Sequence, residues 1–177
     1  MKIELKRIDK SNPDKIILER INTEAISECE RNSLDDLIET DAEVLGIYLD
    51  GEPVGFFVLR EYKFIEYLAY FAISSDVRSK GIGSKALSIL LESKKDFQMV
   101  VEYENPSSNE PDDMNMRRRD FYLRNGFYET GWYSFYDETE FEIGCSSYTF
   151  DEKVFGEFTE YLSRIVSDHI PKPYRKD

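Results

Sequence analysis

Apolar and polar positions change period along the chain in an order that predicts strands and helices in alternation. Ile3 and Leu5 alternate with charges, with Ile8 less cleanly in phase, so Lys2–Ile8 reads as a first strand. Ser11-Asn12-Pro13-Asp14 then signals a helix start: a capping side chain, proline in the first turn, and an acid at the positive end of the dipole. Ile17, Leu18, Ile21, Ala25 and Ile26 carry an apolar stripe that predicts a helix through about Arg31, and Ser33 is placed to cap a shorter second helix through Ile38. Val44–Leu49 and Val54–Leu59 are apolar runs joined through Asp50-Gly51, the strongest hairpin signal in the chain. After a turn at Tyr62-Lys63, Glu66–Ile73 reads as the next strand, because its aromatic-rich run from Tyr67 is too short for a globular helix.

The pattern then changes. Ala86, Leu87, Leu90 and Leu91 recur at helical spacing, which predicts a helix from near Gly83 to Lys95. Gln98–Glu104 follows as a strand parallel to the previous one, reached by a right-handed crossover. Residues 105–111 are a loop on composition; Asp112 or Asp113 can cap a helix that runs to Asn125 and closes on Gly126. Phe127–Tyr136 and Thr139–Tyr148 form a last hairpin, and Val154, Phe158, Leu162 and Ile165 mark a final amphipathic helix. The expected architecture is a mixed α/β (α+β) domain over residues 1–170, with a loose tail from Pro171 to Asp177. Its central sheet would hold six to seven mostly antiparallel strands, with helices on both faces.

Composition narrows the chemistry. The 177-residue chain is 41% hydrophobic and 14% aromatic, which argues against disorder. No apolar run approaches a membrane span and Met1–Lys6 has no signal-peptide core, so a cytoplasmic protein is expected. Cys29 and Cys145 lie far apart and read as buried thiols. His169 is the one histidine, which leaves no basis for a Ser-His-Asp triad or a histidine-rich metal centre, and no metal is expected. A net charge of −13 disfavours nucleic acid and favours cationic partners. The acidic exposed positions of the first two helices, from Glu19 to Glu39, read first as a solvated face and second as a rim attracting an amine.

Against that charge, Val77–Leu91 holds no acid but carries Arg78, Lys80 and Lys85. A strand, a glycine loop and a helix N-terminus together make an anion site: glycine lets the backbone come close, and the first-turn N–H groups point outward. Arg78-Ser79-Lys80-Gly81-Ile82-Gly83-Ser84 resembles motif A of the GNAT superfamily of N-acyltransferases, with Arg78, Gly81 and Gly83 at the pattern positions Gln/Arg-x-x-Gly-x-Gly/Ala. A second stretch, Tyr122 to Gly126-Phe127, resembles the Tyr-x-x-x-Gly-Phe of the same family, and the spacing between the two motifs also fits.

The resemblance implies a GNAT fold that binds acetyl-CoA and transfers its acetyl group to a primary amine. It places Arg78, Ser79, Lys80, Gly81, Ile82, Gly83 and Ser84 on the pyrophosphate, and Phe71, Ala72 and Ile73 along the cofactor, with N–H groups near Ile73 facing the carbonyl oxygen. It also assigns Asn115 to the cofactor and makes Tyr122 the proton donor to the leaving thiolate. Arg118 stands at a usually small position, a departure from the pattern, and residues 106–114 resemble an insertion. Arg117-Arg118-Arg119 read either as nucleotide-phosphate contacts or as a solvated helix face. The proton acceptor stays open: Tyr67 stands where relatives often carry glutamate, Glu66 points to the opposite face, and Glu102, Glu104 or water are the other candidates, with Glu102 our choice.

Two other readings compete. Gly81-Ile82-Gly83-Ser84-Lys85-Ala86, with Glu102 further on, also satisfies a Rossmann NAD fingerprint, but three antiparallel strands before a single βαβ unit count against it. A non-catalytic acyl-CoA sensing module on the same fold is the second, since fold does not establish activity. A homodimer through strand-edge pairing is the remaining expectation.

Overall fold

A computed structural model describes residues 1–106 and 113–177. Eight strands form one sheet: β1 (Ile3–Arg7), β2 (Glu43–Leu49), β3 (Glu52–Tyr62), β4 (Ile65–Ile73), β5 (Gln98–Glu104), β6 (Tyr128–Tyr136), β7 (Thr139–Cys145) and β8 (Tyr174–Arg175). Their order is β1-β2-β3-β4-β5-β7-β6-β8. The pairings β1–β2, β2–β3, β5–β7, β6–β7 and β6–β8 are antiparallel, whereas β4–β5 is parallel. Among the described residues there are five α-helices: α1 (Lys15–Ala25), α2 (Leu34–Glu39), α3 (Ile82–Ser93), α4 (Met114–Arg124) and α5 (Glu152–Val166). A mostly antiparallel sheet with one parallel pair is not a dinucleotide-binding Rossmann sheet, which removes the NAD reading. Among the described residues no helix is long and apolar enough to cross a membrane.

The chain divides into two compact units, Met1–Arg60 with Leu68–Ser93, and Glu61–Tyr67 with Lys94–Asp177. In the first, α1 and α2 bury Leu18, Ile21, Leu34 and Leu37 against Val44, Tyr48, Phe56, Val58 and Ala72. Helix α3 buries Ile82, Ala86, Leu87 and Leu90 outside that cluster. Asp50 and Gly51 both have positive φ, 50° and 93°, the conformation a two-residue hairpin with matched twist requires. Ser33 caps α2 through a 3.1 Å bond from the Asp36 N–H.

Helix α1 is shorter than its apolar stripe. It begins at Lys15, because the Asn12 side chain takes the Asp14 N–H into a local turn at 2.9 Å. It ends at Ala25, where Ile26 is extended and Arg31 reaches back to the carbonyls of Thr23 and Ile26. Cys29, expected buried, is exposed in the segment that follows; Cys145 is buried.

In the second unit, α5 seals one sheet face with Phe155, Phe158 and Leu162 against Ile65, Val100, Ile143 and Cys145. Helix α4 is capped by Asp113, whose carboxylate accepts from the N–H groups of Asn115 and Met116 at 2.8 and 3.1 Å. It closes on Gly126 at φ 94°, as the sequence predicts. The composition loop and the alternative cap at Asp112 lie, for residues 107–112, outside the described residues. The segment read as a loose tail holds an eighth strand: Trp132 pairs with Arg175 and Tyr133 with Tyr174.

Candidate active site

Strand β4 of the first unit ends under constraint. A Cβ added to Gly55 would stand 2.4 Å from the Ala72 carbonyl oxygen, so only glycine lets β3 approach β4 this closely. Val54 accepts the Ser74 N–H at 2.8 Å, and the Phe71 ring lies 4.5 Å from that of Phe57. Ala72 is buried, while Phe71 and Ile73 keep partial exposure.

The chain then turns through a short 3-10 helix, Ser75–Val77, and a loop in which Ser79 and Gly81 take φ of 64° and 74°. A side chain at Gly81 would meet no atom within 4 Å, so glycine is needed here for its conformation and the space in front of it is open. The Gly81 carbonyl accepts the Lys85 N–H at 3.1 Å, which makes Gly81 the cap of α3. The N–H groups of Ile82, Gly83 and Ser84 are therefore the helix's first-turn donors, for which helix geometry supplies no partner. Arg78 donates from Nε to the Ile73 carbonyl at 3.0 Å, tying the loop to the end of β4. Ser79, Lys80, Gly81 and Lys85 are exposed, Gly83 and Ser84 half-buried, and no acid lies in the first turn of α3. This loop fits an anionic group such as a pyrophosphate: open space, backbone donors and three cations.

In the second unit, strand alternation sends Glu102 and Tyr103 to opposite faces of β5. Glu102 is half-buried on the face it shares with Ile143, its β7 neighbour in register. Its Oε2 accepts from Tyr67 Oη at 2.9 Å and Tyr136 Oη at 3.2 Å, and its Oε1 accepts from Ser134 Oγ at 2.7 Å. Desolvation raises the Glu102 carboxyl above the ordinary carboxylate range, against the lowering effect of these three bonds. Burial likewise raises Tyr136, and the adjacent Glu102 carboxylate adds to it.

On the other face, Tyr103 stacks on Tyr122 of α4 at 5.7 Å between centroids and 15° between planes. Phe121 and Phe127 meet Tyr122 edge-on at 5.5 and 5.4 Å. Burial pushes the Tyr122 phenol up to about 12, with Arg118 opposing, so it keeps its proton at neutral pH. Asn115 sits half-buried in the first turn of α4.

Other candidates take different roles. Glu66 is 1% exposed and pairs with Lys94 at 3.3 Å, which makes it part of an ion pair. Arg119 bonds Glu142 through Nε at 3.0 Å and also pairs with Glu129, so it is committed within the protein. Glu104 closes β5, in register with Phe141.

Ser134 and Tyr136 were not legible as partners of Glu102. A serine alternating with Trp132 and Tyr136 on an aromatic strand is a weak polar signal. The register that delivers it depends on a β6 irregularity between Glu129 and Tyr133, with Gly131 at φ 76°.

Comparison with known proteins agrees with this architecture. No curated protein matches the sequence. Among solved structures, a Bacteroides thetaiotaomicron chain assigned to the GNAT family superposes with a TM-score of 0.76 at 24% identity, covering 92% of this chain and 97% of its own. An Elizabethkingia anophelis GNAT acetyltransferase with acetyl-CoA bound gives 0.56 at 17% identity, covering 81% and 96%. A Bacillus subtilis acetyltransferase in complex with CoA gives 0.61 at 14%, covering 81% and 97%. At these identities the likeness is one of fold. The family model for the acetyltransferase (GNAT) domain matches residues 40–129, half of the chain, from before β2 to the start of β6. A glycine loop capping α3, a buried tyrosine on α4 and a family match spanning both lead to one conclusion: the chain belongs to the GNAT family of acetyltransferases.

Proposed function

We propose that the protein transfers an acetyl group from acetyl-CoA to a primary amine by direct attack, with both substrates bound at once. The observation that carries this reading is a half-buried carboxylate, Glu102, that accepts from three hydroxyl donors and, among the described residues, from no cation. The glycine loop and first turn of α3, with Arg78 and Lys80, hold the pyrophosphate, and Phe71–Ile73 and Asn115 line the rest of the cofactor. The structurally similar Elizabethkingia anophelis and Bacillus subtilis acetyltransferases hold acetyl-CoA and CoA, which supports the same donor here.

When bound, acetyl-CoA supplies a thioester: the amine nitrogen forms a bond to the carbonyl carbon, the C–S bond breaks, and the sulfur leaves with the electron pair. Glu102 accepts the proton that the nitrogen must lose, directly or through a water. Tyr122, which keeps its proton at neutral pH, donates it to the leaving sulfur. Backbone N–H near Ile73 stabilises charge on the carbonyl oxygen. The chain's net charge of −13 favours a cationic small molecule or basic peptide as acceptor.

The test is thiol release from acetyl-CoA across an amine panel. Glu102→Gln and Tyr122→Phe are each expected to lower kcat by roughly 10²–10⁴-fold, the usual worth of a positioned acid or base. Full activity in Tyr122→Phe would remove Tyr122 as the acid. Absence of amine-dependent release with every member of the panel would favour an acyl-CoA sensor.

A further inference from the structure

Each carboxylate oxygen offers two lone pairs. At Glu102, Oε2 receives two hydroxyl protons, from Tyr67 and Tyr136, whereas Oε1 receives one, from Ser134. Among the described residues, three of four acceptor sites are therefore filled, and the remaining one is on Oε1. We infer that Ser134 and Tyr136, acting with Tyr67, are positioning residues that fix the Glu102 carboxylate so that one lone pair of Oε1 is presented to the acceptor amine. This rests on the reading of Glu102 as proton acceptor.

The three donors come from two strands, β4 for Tyr67 and β6 for Ser134 and Tyr136, so the carboxylate is held from two sides. Each donor is held in turn. Tyr67 packs against Phe155 and Phe158 at 6.2 and 5.2 Å. Tyr136 stands edge-on to Phe141 at 5.5 Å and 89°, and Ser134 is 1% exposed. Hydroxyls suit this task better than a lysine or arginine would. They orient the carboxylate and favour its ionised form, yet leave no fixed positive charge to suppress its basicity or repel an ammonium. Among the described residues, the other titratable groups on this face include Glu104 of β5, Cys145 of β7, Tyr62 of β3, Tyr161 of α5 and Arg175 of β8, the register partner of Trp132.

The experiment follows the Glu102 carboxyl directly by ¹³C NMR titration, with Glu102→Gln to assign its resonance, in wild type, Ser134→Ala and Tyr136→Phe. Removing either hydroxyl takes a donor from the ionised form, so both variants should titrate at higher pH than wild type. The shorter Ser134 bond should give the larger shift. The acidic limb of kcat/KM should move the same way, which loss of packing alone would not cause. An unchanged titration in both variants overturns the inference. The base reading is judged separately: it fails if Glu102→Gln keeps the wild-type acidic limb.

Discussion

Two carboxylates on neighbouring strands of the second unit, Glu66 on β4 and Glu102 on β5, have opposite surroundings. Glu66 is almost fully buried and faces an ammonium, Lys94, whose side chain is 17% exposed. Glu102 keeps some access to solvent and faces three hydroxyls. A cation offsets the cost of burying charge. Hydroxyls offset less of that cost, so the proton affinity stays raised and the group can exchange a proton at little expense. Burial alone therefore does not nominate a base; the kind of partner does.

The largest expected effect is at the ion-paired site. Lys94→Met should lower stability by about 3–5 kcal/mol, since it leaves Glu66 a buried charge without its ammonium, read by chemical denaturation at neutral pH. A loss no larger than that of an exposed pair would make the two carboxylates alike and break the contrast.

A smaller effect of opposite sign is expected at the poised site. A carboxyl whose folded value is raised contributes stability below its unfolded value and loses that contribution as pH rises through the folded one. Glu102→Gln should therefore melt at a higher temperature than wild type above that window and lose its advantage below it, while losing activity. A melting curve with the same pH dependence as wild type would remove the raised basicity of Glu102.

A third carboxylate sharpens the series. Glu140 accepts from Lys176, from Tyr174 at 2.6 Å and from Asn105 at 2.6 Å, and bonding to Lys176 and Tyr174, in that order, draws it down to about 2. Its contribution should be present above the ordinary carboxylate value and vanish as pH falls toward 2. Glu140→Gln should leave global stability almost unchanged, because the pair is near the surface, but should speed tryptic cleavage at Arg175 and Lys176. Equal cleavage rates would mean that the carboxylate does not fasten the terminus.

In the first unit the expected effect is set by the backbone. Gly81→Ala should cost about 1–2 kcal/mol, because a side chain there must hold the left-handed conformation with nothing to clash against. Its effect on cofactor affinity should come through the altered loop, measured by titration with CoA.

What could be read in the sequence follows the same division. The glycine loop, the caps at Ser33 and Asp113, and Gly126 are local: a few adjacent residues state the backbone conformation they need. Strand β5 is legible over Gln98–Glu104 because its apolar run is bounded by loops. The Glu102 cluster joins residues 67, 102, 134 and 136, and its assembly depends on a strand irregularity that no short pattern encodes. Helix α1 reads longer in the sequence than it is for a related reason: its apolar stripe runs on to Ile26, but Arg31 folds back on the carbonyls that the next turn would need. Residues 171–177 read as loose in the sequence because two residues of strand leave no detectable period.

That two-residue strand bears on how the protein can be handled in the laboratory. Tyr174 and Arg175 occupy the edge of β6 across Trp132 and Tyr133, with Lys176 set over the Tyr133 ring at 4.2 Å. Cutting the chain before Lys172 would strip this cover and bare backbone donors and acceptors that a second copy can satisfy, a route to self-association during purification. An affinity tag joined after Asp177 would begin two residues beyond that covered edge, so it needs a spacer to clear the sheet.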